Sequence, residues 1–159
     1  MHTRDHKPPD LSRYLAAEAD TLALGAELAQ GLAPGVVVYL CGELGAGKTT
    51  LARGVLRGLG YAGRVKSPTF TLVELYTLSM LYLYHFDFYR FNDPRELAEA
   101  GLREYFNPDS VCLVEWPEKA AGLPAADMRI LMQVAGTGRR VEIFTETEAG
   151  SSCLDRLKH

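Results

Sequence analysis

One stretch limits what this chain can fold into more than any other: GELGAGKT, Gly42 to Thr49. The run before it, Val36 to Cys41 (VVVYLC), is short, continuous and apolar, which predicts a buried strand. Lys48 to Leu59 predicts a helix closed by Gly58 and Gly60. A glycine loop between strand and helix is the context in which G-x-x-x-x-G-K-[ST] binds phosphate. Its glycines take backbone conformations barred to other residues, so that N–H groups can point inward at an anion. The helix that follows adds its positive N-terminal end. Glu43, Leu44, Gly45, Ala46, Gly47, Lys48, Thr49 and Thr50 are therefore expected around the phosphates of ATP. Lys48 would reach the β- and γ-phosphates, and the Thr49 hydroxyl would ligate Mg2+. The plain alternative is a glycine-rich turn with a chance lysine, and the flanking elements argue against it.

Composition sets the frame for this loop. At 159 residues the chain fits one domain with a proper core. It is 47% hydrophobic and 23% charged, an ordinary globular composition. A net charge of -3 argues against a broadly basic nucleic-acid-binding surface. No apolar run approaches the roughly 20 residues that span a bilayer, so no membrane association is expected. MHTRDHKPPD lacks the apolar centre of a signal peptide and predicts a flexible segment over 1–10, ahead of a single domain over 11–159. Cys41, Cys112 and Cys153 have no CxxC spacing and read as free thiols, which makes a cytoplasmic location the default expectation.

The rest of the chain supplies alternating elements. Leu11 to Leu32 predicts a helix with Leu15, Leu22, Ala26 and Ala29 on one face, stopped by Gly31, Pro34 and Gly35. Thr69–Tyr76 and Leu81–Phe88 predict two strands joined by Thr77–Met80. Asn92 or Asp93 caps a helix that opens at Pro94 and runs to about Gly101, with a short helical turn over Leu102–Phe106. Val111–Glu115 (VCLVE) is a further buried strand. Met128–Val134 and Arg140–Thr145 predict a hairpin, and Gly150–Leu157 a last helix. The order gives an α/β, P-loop NTPase-like three-layer sandwich on a mixed sheet, parallel near the glycine loop and antiparallel elsewhere.

A phosphate loop of this kind needs an acid near the metal, at the end of a buried strand. Asp87 alternates with His85 and Tyr89 along LYLYHFDFYRF, and Glu115 ends VCLVE. An acid at a strand's C-terminal end lies at the sheet edge where α/β proteins bind ligands. The structural alternatives are an Asp87–Arg90 pair and a Glu115 cap on the turn at Pro117. Spacing does not decide which acid contacts metal and which orients water. Thr69 or Thr71 in SPTFT suits a γ-phosphate-sensing segment, although a proline turn entering a strand fits equally well. Trp116, the single tryptophan, fits a place beside the nucleotide, a partner surface or the core. His85 reads as structural, and the four histidines show no metal-ligand spacing.

Taken in order, GELGAGKTT at Gly42, VKSPTFTLVELY at Val65, YHFDFYR at Tyr84 and LVEWPE at Leu113 resemble the TsaE family, the small ATPase component of bacterial tRNA threonylcarbamoyladenosine synthesis. DPRELAEAGLREYF from Asp93 also fits, and the resemblance runs from about Asp20 to Val141. The loop alone is shared by many families, whereas the ordered set is far more specific. The resemblance implies ATP and Mg2+ as ligands, Lys48 on phosphate, Thr49 and Glu115 at the metal and Asp87 as the Walker-B-like acid. It implies a switch role for Ser67–Thr71, a place for Trp116 beside the site, and Glu18 and Arg139 flanking the adenine. It also implies action on a TsaB–TsaD heterodimer, with tRNA touched at most indirectly and ATP hydrolysis resetting the assembly between turnovers.

The runner-up is a small-molecule or nucleotide kinase of the P-loop class. Such kinases need an arginine-bearing lid, and the arginines after Phe91 are spread thinly. A GTPase would carry an N-K-x-D segment, which is missing. A nucleotide switch without useful chemistry is a further reading. No arginine finger stands in the motif set, so hydrolysis is expected to be slow until a partner completes the site.

Overall fold

The computed structural model describes residues 7–65, 73–78, 81–89 and 101–158. Its seven described strands form one mixed sheet: β1 (Leu11–Leu15), β2 (Val37–Cys41), β3 (Val73–Thr77), β4 (Tyr82–Asp87), β5 (Ser110–Glu115), β6 (Met128–Ala135) and β7 (Gly138–Thr145). Their order is β1-β7-β6-β2-β5-β4-β3. The central pairs β6–β2, β2–β5 and β5–β4 are parallel, while β1–β7, β7–β6 and β4–β3 are antiparallel. The three described helices are α1 (Glu18–Ala29), α2 (Lys48–Gly58) and α3 (Glu148–Lys158). None of them is long and apolar enough to cross a membrane.

Alternation along the strands divides the core in two. Val38, Leu40, Leu113, Ile130 and Val141 face the helices, where they pack with Leu24, Leu28, Leu51, Val55 and Leu154. Val37, Phe86, Phe88, Cys112 and Val114 face the other way, where they pack with Leu102 and Ala120. These two residues lie on the stretches before and after β5, which hold the 3-10 turns Arg103–Tyr105 and Pro117–Lys119. β5 is buried along its whole length because both its faces are covered, which is why it reads as a continuous apolar run. The expected α/β sandwich on a mixed sheet is therefore the fold observed, with its strands and last helix within a few residues of their predicted limits.

One element differs. The predicted helix from Leu11 begins only at Glu18, and Leu11–Leu15 is an edge strand on β7. Leu11, Arg13 and Leu15 turn inward while Ser12 and Tyr14 turn out, a period of two that a short window does not separate from a helical one. The helix starts where it does because the Asp20 carboxylate accepts the Ala17 N–H at 3.0 Å. Its buried face runs through Thr21, Leu24, Gly25 and Leu28 rather than through Leu22 and Ala26. Before the strand, Asp10 donates its N–H to the Ile143 carbonyl and accepts from Thr145. The predicted SPTFT segment and the helix from Asn92 lie outside the described residues.

The helices fix the glycine loop in place. A Cβ at Gly54 would stand 2.4 Å from the Leu22 carbonyl oxygen, and one at Gly25 would stand 2.5 Å from that of Leu51. The two glycines thus let α1 and α2 approach backbone to backbone. This closeness seats the first turn of α2 over the C-terminal ends of β2 and β5.

Candidate functional site

The loop between β2 and α2 is shaped by two glycines in particular. Gly42 has φ 137° and touches β6 so closely that a Cβ there would lie 2.2 Å from the Met132 carbonyl oxygen. Gly47, the N-cap of α2, has φ 102°. Between them the Ala46 N–H donates to the Glu43 carbonyl at 3.1 Å, closing a turn. Ala46 is buried, whereas Leu44 stands exposed at the lip. Lys48 is only 4% exposed. Its ammonium donates to the Gly42 carbonyl and lies 3.7 Å from the centre of the Trp116 ring. Burial pulls the Lys48 pKa below 10.5, and the nearby Glu115, Glu118 and Asp87 carboxylates pull it partly back.

Both candidate acids stand at the matching edge. Asp87 and Glu115 are register partners at the C-terminal ends of β4 and β5, each at least nine-tenths buried. Glu115 Oε2 accepts from Thr49 Oγ1 at 3.1 Å and pairs with His85 Nε2 at 2.6 Å. Asp87 Oδ1 accepts the Tyr89 N–H at 2.9 Å. The Glu115 side chain is therefore turned to α2 rather than spent on capping the turn at Pro117. His85 is the residue the sequence reading left outside the site. The available signal was its alternation with Asp87, which puts both side chains on the face that carries Glu115.

Immediately after Glu115 the chain bends. Trp116 has φ 58°, the only non-glycine in the left-handed region among the described residues. For a bulky side chain this conformation costs on the order of 1–2 kcal/mol. The bend lays the indole against Lys48 and 5.0 Å from the Tyr89 ring. Trp116 is half-buried: its ring meets Lys48 of the loop and also packs against the second core cluster.

The predicted residues converge on a cleft of about 430 Å³. Leu44, Gly45, Gly47, Lys48, Thr49 and Thr50 form one wall; Asp87, Tyr89, Glu115 and Trp116 form the other. Arg139 closes one end, donating from Nη2 to the Gly45 carbonyl at 3.1 Å. A second hollow of about 170 Å³ shares Gly47, Thr50 and Arg139 with the first, and Glu18 and Thr21 line it. Glu18 and Arg139, far apart in the chain, thus line the same hollow beside the loop. Glu43 and Ala46 line neither hollow; their backbones close the turn of the loop. Arg139 Nε is buried without a partner, an unused donor near the cleft. Among the described residues no group of three His, Cys, Asp or Glu side chains is placed to hold a metal alone. A cation here would draw on one or two protein oxygens plus phosphate and water, the usual arrangement for Mg2+.

Known proteins share this architecture and sequence. Residues 15–141 match the family described as "Threonylcarbamoyl adenosine biosynthesis protein TsaE". The tRNA threonylcarbamoyladenosine biosynthesis protein TsaE of Haemophilus influenzae is 45% identical over 155 residues, 94% of this chain and 98% of that protein. The protein of that name from Bacillus subtilis is 42% identical over 127 residues, 79% of each chain. The crystal structure of Bacillus subtilis YdiB superposes with a TM-score of 0.75 at 34% identity, covering 94% of this chain and 95% of that one. The chain belongs to the TsaE family of threonylcarbamoyladenosine biosynthesis proteins.

Proposed function

We propose that this chain binds ATP with Mg2+ across the cleft and hydrolyses it slowly, in the service of tRNA threonylcarbamoyladenosine synthesis. The observation that carries this reading is the meeting of Thr49 with Glu115, 3.1 Å apart, directly beside buried Lys48 and Asp87. A strand-end acid bonded to the hydroxyl of a phosphate loop has little structural purpose on its own. It suits a site where Thr49 and Glu115 hold a magnesium ion, which would neutralise charge on the β- and γ-phosphates.

The chain's own residues have distinct tasks in this reading. Backbone N–H groups of the first turn of α2 lack helical partners and face incoming phosphate. Lys48 exchanges the Gly42 carbonyl for phosphate oxygens and offsets the charge that develops on transfer. Asp87 accepts a hydrogen bond from water approaching in line with the γ-phosphate. Glu18, Thr50 and Arg139 receive the nucleoside in the adjoining hollow.

The Arg139 Nη groups already donate to the Gly45 and Gly138 carbonyls, so this arginine is engaged by backbone rather than poised as an arginine finger. Turnover is therefore expected to be slow alone and faster with a TsaB–TsaD pair, whose assembly this hydrolysis would reset. The check is phosphate release by the isolated chain and by the chain with that pair. Equal rates would count against a partner-completed site. Glu115→Gln should abolish Mg2+-dependent turnover in both settings.

A further inference from the structure

The geometry points to His85 as a positioning residue that holds the Glu115 carboxylate in the orientation the site needs. This rests on the reading of the cleft as a Mg–ATP site. His85 lies on β4, paired with Leu113, and Glu115 is two residues further along β5 on the same face. That diagonal separation is one that two long side chains can close. They do so: His85 Nε2 is 2.6 Å from Glu115 Oε2, with His85 fully buried and Glu115 3% exposed. A carboxylate can only accept, so Nε2 carries the hydrogen.

The pattern of hydrogen bonds is uneven. Oε2 takes both donors, His85 Nε2 and Thr49 Oγ1. Oε1 has no hydrogen bond among the described residues, although Glu115 lines the cleft. His85 and Thr49 therefore clamp one oxygen from two sides and leave the other for whatever the cleft binds. Outer partners of this kind fix a ligand's orientation and raise its basicity.

The other ring nitrogen argues against a purely packing purpose. Nδ1 is buried with no partner. An apolar side chain of similar size would fill the same space without an unpaired polar atom. The ring is thus a poor choice for packing and a good one for delivering a single N–H to Glu115.

The test separates orientation from folding. ATP affinity is measured by calorimetry on the full chain, with Mg2+ and with chelator, for wild type, Glu115→Gln, His85→Leu and His85→Gln. His85→Leu should lose about 10- to 100-fold of the affinity that Mg2+ adds, the usual cost of removing an outer partner. Its affinity in chelator and its thermal midpoint should stay near those of wild type. His85→Gln, which keeps a donor at a similar reach, should recover most of the Mg2+ effect. If Mg2+ tightens ATP equally in His85→Leu and wild type, while Glu115→Gln loses the effect, His85 is not a positioning residue. If Mg2+ adds nothing even to wild type, the reading of the cleft itself fails. Should His85→Leu not fold, His85→Gln is compared with His85→Asn, whose shorter amide does not reach. Equal Mg2+ effects in those two would overturn the inference.

Discussion

The two ends of the parallel strands β2 and β5 hold hollows of similar size and opposite chemistry. At the C-terminal end lies the loop cleft of about 430 Å³; at the N-terminal end a groove of about 470 Å³ runs past Gly35, Phe106, Ser110 and Asp127. In the groove the polar groups are consumed internally. Asp127 accepts from the Val37 N–H and from Thr147 Oγ1, both at 2.8 Å. Asn107 Oδ1 accepts from the Asp109 N–H and from Ser110 Oγ, while its amide donates to the Glu104 carbonyl. The cleft instead keeps a buried lysine, a half-used carboxylate and an unpartnered guanidinium nitrogen. Volume does not tell these ends apart. Unused hydrogen-bonding capacity does, and the proposed nucleotide is what would complete the network.

Substitutions at either end should separate binding from stability. The largest expected effect is on binding: Lys48→Met should weaken ATP by roughly 10- to 150-fold, the value of about 1.5–3 kcal/mol for hydrogen bonds to a charged group. Titration calorimetry reads this directly, and unchanged affinity would erase the contrast between the two ends. Next comes Asp127→Ala, which leaves the Val37 N–H unpaired and removes the tie to Thr147. It should cost about 2 kcal/mol of stability in urea unfolding and leave ATP affinity near wild type.

The smallest effect reverses the usual sign. The folded pKa of Lys48 lies below 10.5, so between those values the unfolded chain binds more protons and wild-type stability rises with pH. Below that window the cost of burying the ammonium is present in full. Lys48→Met should therefore be slightly more stable than wild type at neutral pH, with the advantage shrinking as pH climbs towards 10.5. Thermal melts at neutral and alkaline pH would test it, and an advantage that grows with pH would contradict it.

Much of this was legible before the fold was known, for local reasons. GELGAGKT carries its own conformational demand, since its glycines sit where φ is positive and its neighbours are a buried strand and a helix. Asp87 and Glu115 were legible because strand-end acids follow from the period-two pattern of their own strands. Leu11–Leu15 was misassigned because nothing local decides it. Its strand conformation comes from hydrogen bonds to β7, more than a hundred residues away in sequence.

The sequence by itself thus determined that a glycine loop of the G-x-x-x-x-G-K-[ST] pattern stands between strand and helix, with two acids on downstream strands. Only the tertiary structure decided how those parts meet. It turned Glu115 to Thr49, set His85 behind that carboxylate, laid Trp116 on Lys48 and brought Arg139 to the loop at Gly45. The physical reason is range. Backbone conformation in a glycine loop is fixed by its nearest neighbours. A hydrogen bond between residues 30 or 66 positions apart depends on sheet register and on how closely α2 seats against the strands.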